Sequence, residues 1–298
     1  MEKNRRPVTP YYLFCNHCEK LIFLFSTHIR DCIMIVINAS NVANLLGKNS
    51  YSPLSEAFIA AWKSSDKSSY KLAHKRNGVL TKDELIEETL QKIPDAFDRR
   101  ISPVSAKSLF VDENAPVRQV TKKHIETAKY LYNTSRGVDK EDILFRGVVK
   151  ILPERNFKKT DDLLSKRIGN VVLQGRVDGI SSDGTCILEI KTRMHKLFMH
   201  PREYEMYQIA MYFILMENAT NAFLVEGYFR SKRPDLNFIE IQRRDVQDKI
   251  DEILENVDRI SQILSKIITD EKIQNTLLTS PKPDLVIKNL TSGLLEGR

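Results

Sequence analysis

Two acidic residues and a lysine lie within apolar stretches of Gly175–Arg193, whose sequence is GRVDGISSDGTCILEIKTR. Asp178 follows one apolar stretch, and Glu189 and Lys191 interrupt the next. Carboxylate oxygens are ligands that Mg²⁺ and Mn²⁺ prefer, and a nearby ammonium can orient water or offset negative charge on a phosphate. These residue types therefore favour a metal-dependent active site on two neighbouring strands.

A β-hairpin predicted over residues 171–193 would bring these residues together. Asp183 and Gly184 form the preferred dipeptide of a two-residue type I′ turn. If that turn closes the hairpin, Asp178 faces Glu189, with β-carbons about 4.5–5.5 Å apart, and Lys191 shares the face of Glu189. Opposed carboxylates repel each other, and a shared divalent cation would remove that repulsion. The alternative is a solvated hairpin face with an incidental ion pair.

The surrounding sequence predicts the elements that must position this hairpin. Apolar residues at helical spacing predict a long helix over residues 117–135, followed by a strand over residues 142–152. Pro201 opens a further helix, after which two apolar runs predict strands and residues 246–268 predict an amphipathic helix. The predicted fold class is a mixed α/β sheet flanked by helices, in the order helix, three strands, helix, strand, with added helices at both ends.

Four regions are predicted along the 298-residue chain: an extension at 1–34, a helical region at 35–110, the α/β core at 111–245, and a C-terminal helix and tail at 246–298. The net charge of +7 favours an anionic partner, nucleic acid before membrane. The apolar runs near the N-terminus are too short to span a bilayer and do not form a signal peptide, so we expect an intracellular protein that is not secreted.

The N-terminal extension holds three of the four cysteines. Cys15, Cys18, His28 and Cys32 have ligand types and spacing compatible with zinc. A single Cys-x-x-Cys pair favours this weakly, so an extension with free thiols is the preferred interpretation. Disulfides are not expected.

The hairpin and the helix after it resemble the PD-(D/E)xK nuclease superfamily. GRVDGI and ILEIK resemble its metal-binding motif, and Gln208 and Tyr212 resemble the Gln-x-x-x-Tyr signature of its RecB and lambda exonuclease branches. The run from Ile187 to Tyr228 is most similar to YqaJ-type viral recombinases, the alkaline-exonuclease-like enzymes of phages and large DNA viruses. The superfamily core is the restriction-endonuclease-like fold, whose element order agrees with the predicted one.

This resemblance implies a set of catalytic and metal-binding residues on the hairpin and the following helix: Asp178, Glu189, Ile190, Lys191, Gln208 and Tyr212. The two carboxylates and the backbone carbonyl of Ile190 would bind Mg²⁺ or Mn²⁺, and Lys191 would position the nucleophilic water. The glutamine and the tyrosine would hold the lysine or the DNA backbone. Val177 stands where the motif has its proline, which leaves the ligands unchanged.

The family's first acidic residue lies on the upstream helix, and no clear Gly-x-x-x-Glu pattern marks it here. Glu126 in KKHIETA is predicted for this role, with Glu84 as the alternative. Glu84 has a competing task, because it lies three residues after Thr81 and can complete a capping box. The downstream cysteines of the iron-sulfur variants are absent from the sequence, so no cluster is expected.

The predicted function is a Mg²⁺-dependent deoxyribonuclease, an exonuclease that processes duplex DNA ends in recombination, repair or viral DNA processing. The expected partners are DNA and, as the family implies, a single-strand annealing protein, and a homo-oligomer is compatible with this function. Two alternatives stay open. One is a structure-specific or restriction-type endonuclease, and the other is a DNA-binding scaffold with a decayed site.

Overall fold

The computed structural model describes residues 33–92, 121–230 and 233–295, and the chain from Ile33 onward groups into one compact unit. The predicted zinc ligands lie outside the described residues: Cys15, Cys18, His28 and Cys32. The predicted boundaries of the four regions, after residues 34, 110 and 245, stay predictions. Among the described helices, none combines the length and apolar character needed to cross a bilayer.

Helices dominate the described chain up to residue 151, and most of the strands follow it. Up to that residue the elements are β1 (Ile35–Asn38), α1 (Val42–Leu45), α2 (Leu54–Ser65), α3 (Lys67–Arg76), α4 (Lys82–Lys92) and α5 (Lys122–Ile151). Beyond it lie β2 (Phe157–Lys159), β3 (Leu164–Ile168), β4 (Val171–Gly175), β5 (Gly179–Ser181), β6 (Cys186–Arg193), α6 (Glu203–Leu215), β7 (Asn221–Tyr228), β8 (Asp235–Gln242), α7 (Gln247–Thr269), α8 (Glu271–Thr279) and α9 (Pro283–Leu295).

The strands form two mixed sheets. In the smaller sheet, β4 lies between β1, which is parallel to it, and β3, which is antiparallel. The larger sheet has the order β2-β5-β6-β7-β8, with β6 parallel to β7 and antiparallel pairing elsewhere. Parallel neighbours need a crossover, and α6 supplies it. A helix, five strands, a helix and two strands follow one another from α5 to β8, which confirms the predicted α/β, restriction-endonuclease-like fold class with added helices at both ends. The strands are more numerous than the order of three strands and one strand that the sequence predicted.

The two faces of β6 are covered by different helices. Because side chains alternate across a strand, its even-numbered residues from Cys186 to Ile190 share one face, where they pack in one apolar cluster with Leu144 and Val148 of α5. Its odd-numbered residues from Glu189 to Arg193 lie on the other face and contact polar side chains of α6. The polar face of β6 is therefore the one that α6 covers.

The strand predicted over residues 142–152 is wrong, because helix α5 continues through Ile151. Leu144 and Val148 are one helical turn apart, and both are fully buried against the larger sheet. An apolar run of this length fits a buried strand or a buried helix equally well by pattern alone. The helix forms here because its apolar stripe has a sheet face to cover.

The hairpin has the predicted register but not the predicted turn. Gly179 pairs with Leu188 across β5 and β6, as the sequence predicted, and this register places Asp178 beside β6. Asp183 lacks the positive φ that a type I′ turn requires at that position. The strands are instead joined by a longer loop over residues 182–185 with the same centre.

The first arm of the predicted hairpin is divided between the two sheets. β4 ends at Gly175 and pairs with β1 and β3, whereas β5 begins at Gly179 and pairs with β6. Residues 176–178 cross between the sheets without strand pairing of their own. Asp178 therefore lies at a break in the backbone ladder, where its side chain can reach the adjacent strand.

Helix α5 lies so close to β7 that only glycine fits at residue 227. A methyl group there would lie 2.2 and 2.5 Å from the Cδ atoms of Leu144, which is fully buried. We expect Gly227→Ala to lower the free energy of unfolding by about 1–3 kcal/mol, measured by urea denaturation. The control is Gly293→Ala on α9, where a methyl group meets no described atom within 4 Å and helix propensity favours alanine. Equal losses in both variants would contradict this packing.

Candidate active site

Asp178 is held beside Glu189 by backbone hydrogen bonds to β6. The Asp178 N–H donates to the carbonyl of Leu188 at 3.1 Å, and the Ile190 N–H donates to Asp178 Oδ2 at 2.5 Å. The N–H and C=O groups of one residue point to the same edge of a strand, so the Ile190 carbonyl faces the same side. Two carboxyl groups and a backbone carbonyl thus converge where β5 and β6 separate.

A hydrogen-bonded network joins Glu189 to helix α6. Lys191 Nζ donates to Glu189 Oε1 at 2.6 Å and to Gln208 Oε1 at 2.9 Å. Gln208 Nε2 donates to Glu189 Oε1 at 2.9 Å and also lies 2.7 Å from the Tyr212 hydroxyl. That hydroxyl donates to the carbonyl of Arg176 at 2.7 Å. The structure thus brings together the residues predicted on β6 and α6 and ties them to the crossing segment that leads to Asp178.

The electrostatics of this site are unfavourable to a second negative charge. Burial, followed by the charge of Glu189, raises the pKa of Asp178 to about 8. Burial alone would lower the pKa of Lys191, but the neighbouring carboxyl groups, with the charge and hydrogen bond of Glu189 foremost, together raise that pKa. Glu189 Oε2 is buried and accepts no hydrogen bond within the described part of the chain. An orphaned carboxylate oxygen beside a second carboxyl group is an arrangement that a cation would satisfy.

The available donors are two carboxyl groups and one backbone carbonyl. This set suits Mg²⁺ better than it suits a metal ion that is held entirely by side chains. Among the described residues, no three or more His, Cys, Asp and Glu side chains are grouped to hold a metal ion. Magnesium keeps several waters and is commonly bound through one or two carboxylates together with substrate phosphates. Asp178, Glu189 and the carbonyl of Ile190 provide that incomplete set.

The structure does not bring Glu126, the predicted first acid, to this site. Glu126 is 62% exposed and lies 3.9 Å from Lys122 in an ion pair. The acid of α5 that approaches Asp178 is Glu141, whose charge contributes to raising the pKa of Asp178. At 1.5 Å per residue, Glu126 lies about 22 Å along the helix from Glu141.

Glu84, the alternative first acid, serves the helix start instead. Its Oε2 accepts hydrogen bonds from the N–H of Thr81 at 2.8 Å and from the Thr81 hydroxyl at 2.7 Å. The Glu84 N–H in turn donates to Thr81 Oγ1 at 3.2 Å. This is the capping box that the sequence predicted.

Sequence reasoning missed Glu141 although a signal for it was present. The stretch Gly137-Val-Asp-Lys-Glu141 has the Gly-x-x-x-Glu spacing of the family. The predicted helix ends at residue 135 and the predicted strand begins at residue 142, which leaves this stretch between the two elements. Both residues fall within α5 in the structure. The error in one element boundary thus removed from consideration the acid of α5 whose charge acts on Asp178.

The raised pKa of Asp178 predicts how stability depends on pH. The Asp178 carboxyl group binds its proton more tightly in the folded protein than in the unfolded chain. The contribution of the protonated carboxyl group to the free energy of unfolding is therefore complete below about pH 4 and is lost as the pH rises through about 8. We therefore expect metal-free Asp178→Asn protein to melt at a higher temperature than the wild type at pH 9. Each kcal/mol of relieved repulsion between Asp178 and Glu189 should raise Tm by about 2–4 °C. The difference in Tm between the variant and the wild type should shrink towards pH 4.

Asp183→Asn is the control of opposite sign. Hydrogen bonds from Ser181 and Thr185 lower the pKa of Asp183 to about 2. Its contribution to stability is present above about pH 4 and lost as the pH falls through about 2, so this variant should melt below the wild type at neutral pH. Both predictions are tested by thermal melts of the two variants and the wild type across pH. A Tm below that of the wild type for Asp178→Asn at pH 9 would contradict repulsion between Asp178 and Glu189.

Comparisons with known proteins give low-identity structural neighbours. A scan against protein-family models and a search of curated proteins each find no match. The alkaline exonuclease LHK-Exo from Laribacter hongkongensis, in its complex with dAMP, is 13% identical, with 79% of this chain and 92% of that chain covered and a TM-score of 0.39. A protein from Eubacterium rectale described as an exonuclease is 13% identical, with 82% and 87% covered and a TM-score of 0.37.

A third solved structure covers less of both proteins. SSO0001 is 21% identical over 46% of this chain and 64% of its own, with a TM-score of 0.32. The solved structures similar to this chain therefore include exonucleases, the class that its sequence resembles.

Proposed function

We propose that this protein is a divalent-metal-dependent deoxyribonuclease that hydrolyses phosphodiester bonds, acting as an exonuclease on duplex DNA ends. The observation that carries the proposal is the pair of carboxyl groups, Asp178 and Glu189, held beside each other where β5 and β6 separate, with Lys191 hydrogen-bonded to one of them. Purely structural strands gain nothing from two buried carboxyl groups side by side, because burial and the charge of Glu189 both oppose ionisation of Asp178. A function that binds a cation explains why both are present.

The site residues divide the work between holding a cation and orienting the reactants. Asp178, Glu189 and the Ile190 carbonyl would hold Mg²⁺ or Mn²⁺, which would supply positive charge to stabilise the charge building on the attacked phosphate. Lys191 is kept cationic by Glu189 and can place its ammonium against the phosphate or orient the attacking water. Gln208 hydrogen-bonds both members of the Lys191–Glu189 pair and would help to orient the lysine.

Tyr212 and Gln208 position other groups rather than react. Burial raises the pKa of Tyr212 well above its usual value, so its hydroxyl remains protonated and acts as a hydrogen-bond donor. It donates to the carbonyl of Arg176, which fixes the crossing segment two residues before Asp178. The helix α6 thereby holds both strands of the site in one arrangement.

The basic character of the chain supports an anionic polymer as substrate. A net charge of +7 attracts the DNA backbone, an attraction that weakens as salt rises. Action on duplex ends, and a role in recombination, repair or viral DNA processing with a single-strand annealing protein as partner, are parts of the same proposal and follow the resemblance of the sequence.

The deciding experiment compares an end-labelled linear duplex with a covalently closed circle of the same sequence, with Mg²⁺ and with EDTA. We expect Mg²⁺-dependent release of nucleotides from the linear duplex and no cleavage of the circle. Nicking of the circle would identify an endonuclease instead. Binding of both DNAs without cleavage, and without any effect of Mg²⁺, would identify a binding protein and contradict the proposal.

A further inference from the structure

Four side chains form a stacked column that begins two residues after Lys191. The guanidinium of Arg193 lies over the Phe198 ring at 4.7 Å, and that of Arg202 lies over the same ring at 3.8 Å. Arg202 also lies over the ring of Tyr51 at 5.0 Å. Guanidinium and aromatic groups thus alternate from the end of β6 to the surface, each contact being a cation–π interaction.

The inner end of the column is fixed in the protein interior. Arg193 is 8% exposed and forms ion pairs with Glu205 at 2.8 Å and Glu226 at 2.5 Å, both of which are buried. Glu226 also accepts hydrogen bonds from the N–H groups of Phe198 and Met199, at 2.9 and 3.2 Å. The loop between β6 and α6 is therefore anchored at its backbone as well as at its aromatic side chain.

The outer end of the column is an open aromatic ring near the active site. Tyr51 is 73% exposed, although its ring contacts Tyr204 edge-on, with 6.3 Å between centroids. Tyr204 lies one turn before Gln208 on α6, which places Tyr51 beside the helix face that carries the catalytic network. Arg202 and Tyr204 thus hold the Tyr51 ring while most of its surface stays open to a contact from solvent.

We propose that Tyr51 is a stacking platform for an unpaired base of single-stranded DNA beside the active site, an inference that rests on the proposed nuclease function. Bases inside a duplex are covered on both faces, so only an unpaired or frayed base can lie against this ring. Aromatic side chains stack bases of any sequence, and an arginine beneath the ring adds positive charge for the adjoining phosphate. The site thus takes a nucleotide of a separated strand, of no particular sequence, next to the bond to be cut.

Binding can be tested without cleavage, in protein carrying Asp178→Asn and in EDTA. The probe is a short single-stranded oligodeoxynucleotide containing 2-aminopurine, whose fluorescence falls when the base stacks. Adding Tyr51→Ala should weaken binding about 10-fold and abolish the quenching, whereas Tyr51→Trp should retain both. The matched control is Tyr130→Ala on α5, an exposed tyrosine 4.3 Å from Lys82 in a cation–π contact.

The outcomes separate this inference from the proposed function. Unchanged binding by Tyr51→Ala, or equal losses in the Tyr51 and Tyr130 variants, would overturn the platform while leaving cleavage by the wild type unaffected. Equal losses in Tyr51→Ala and Tyr51→Trp would also overturn it, because the ring would then not be the contact. Failure of the Asp178→Asn protein to bind DNA, together with failure of the wild type to cut DNA with Mg²⁺, would overturn both.

Discussion

Asp178→Asn and Glu189→Gln should each abolish Mg²⁺-dependent DNA cleavage while the protein stays folded. Each change removes a ligand charge and keeps the shape of the side chain. A divalent cation contributes several kcal/mol to stabilising a phosphoryl transition state, and each 1.36 kcal/mol is tenfold in rate. The expected loss is therefore about a thousandfold or more. Near-normal Mg²⁺-dependent activity in either variant would contradict the assignment of that carboxylate.

Two measurements distinguish loss of the metal from loss of the fold. Mg²⁺ should raise the melting temperature of the wild type, because a ligand that binds only the folded state stabilises it, and should not do so for either variant. Asp183→Asn is the matched control, because it neutralises a carboxylate in the loop between β5 and β6 that is hydrogen-bonded only locally to Ser181 and Thr185 in the described contacts. That variant should cleave DNA at the wild-type rate.

The opposition of Asp178 and Glu189 could be predicted from the sequence because register depends on the centre of a loop rather than on its type. The Asp183-Gly184 pair marked that centre correctly. The loop proved longer than two residues, yet a symmetrical lengthening leaves every opposed pair unchanged. Side-chain alternation along β6 then fixed the common face of Glu189 and Lys191.

The second sheet could not be predicted, because its pairings are long-range. β1 pairs with β4, and more than 130 residues separate Ile35 from its partner Val171. No local sequence pattern indicates a pairing between strands so far apart in the chain. The sequence of residues 171–193 taken alone therefore predicts one continuous hairpin. For the same reason the buried cluster of Arg193, Glu205 and Glu226 left no sequence signal, since its members come from three separate elements.

The long helix α5 shows how a local ambiguity affects the prediction of function. An apolar stretch at residues 142–152 suits a strand as well as a helix until the surface that it covers is known. Once the helix extends through Ile151, Glu141 lies within it, and its charge acts on Asp178. Glu141 can therefore be tested as the first acid against Glu126, the residue that the sequence first suggested.

Glu141→Gln should lower the rate of Mg²⁺-dependent cleavage by orders of magnitude, whereas Glu126→Gln should leave it unchanged. Glu141 is near enough for its charge to raise the pKa of Asp178, so it can share in holding a cation or its waters. Its Oε1 now lies 3.2 Å from Lys159 Nζ, an ion pair at the edge strand β2 that a cation can replace. Glu126 lies on the same helix and has its own lysine partner at 3.9 Å, which makes it a control matched in element, charge and pairing.

The comparison is made by titrating Mg²⁺ in cleavage assays of both variants, with Glu84→Gln as a third. Because Glu141 acts through the cation, its variant should need more Mg²⁺ for half-maximal activity as well as cleaving more slowly. Glu84→Gln should cleave normally and melt at a lower temperature, since its carboxylate completes the capping box of α4. If Glu126→Gln is the inactive variant and Glu141→Gln cleaves normally, Glu141 is not the first acid, and the assignment based on its position near Asp178 is wrong.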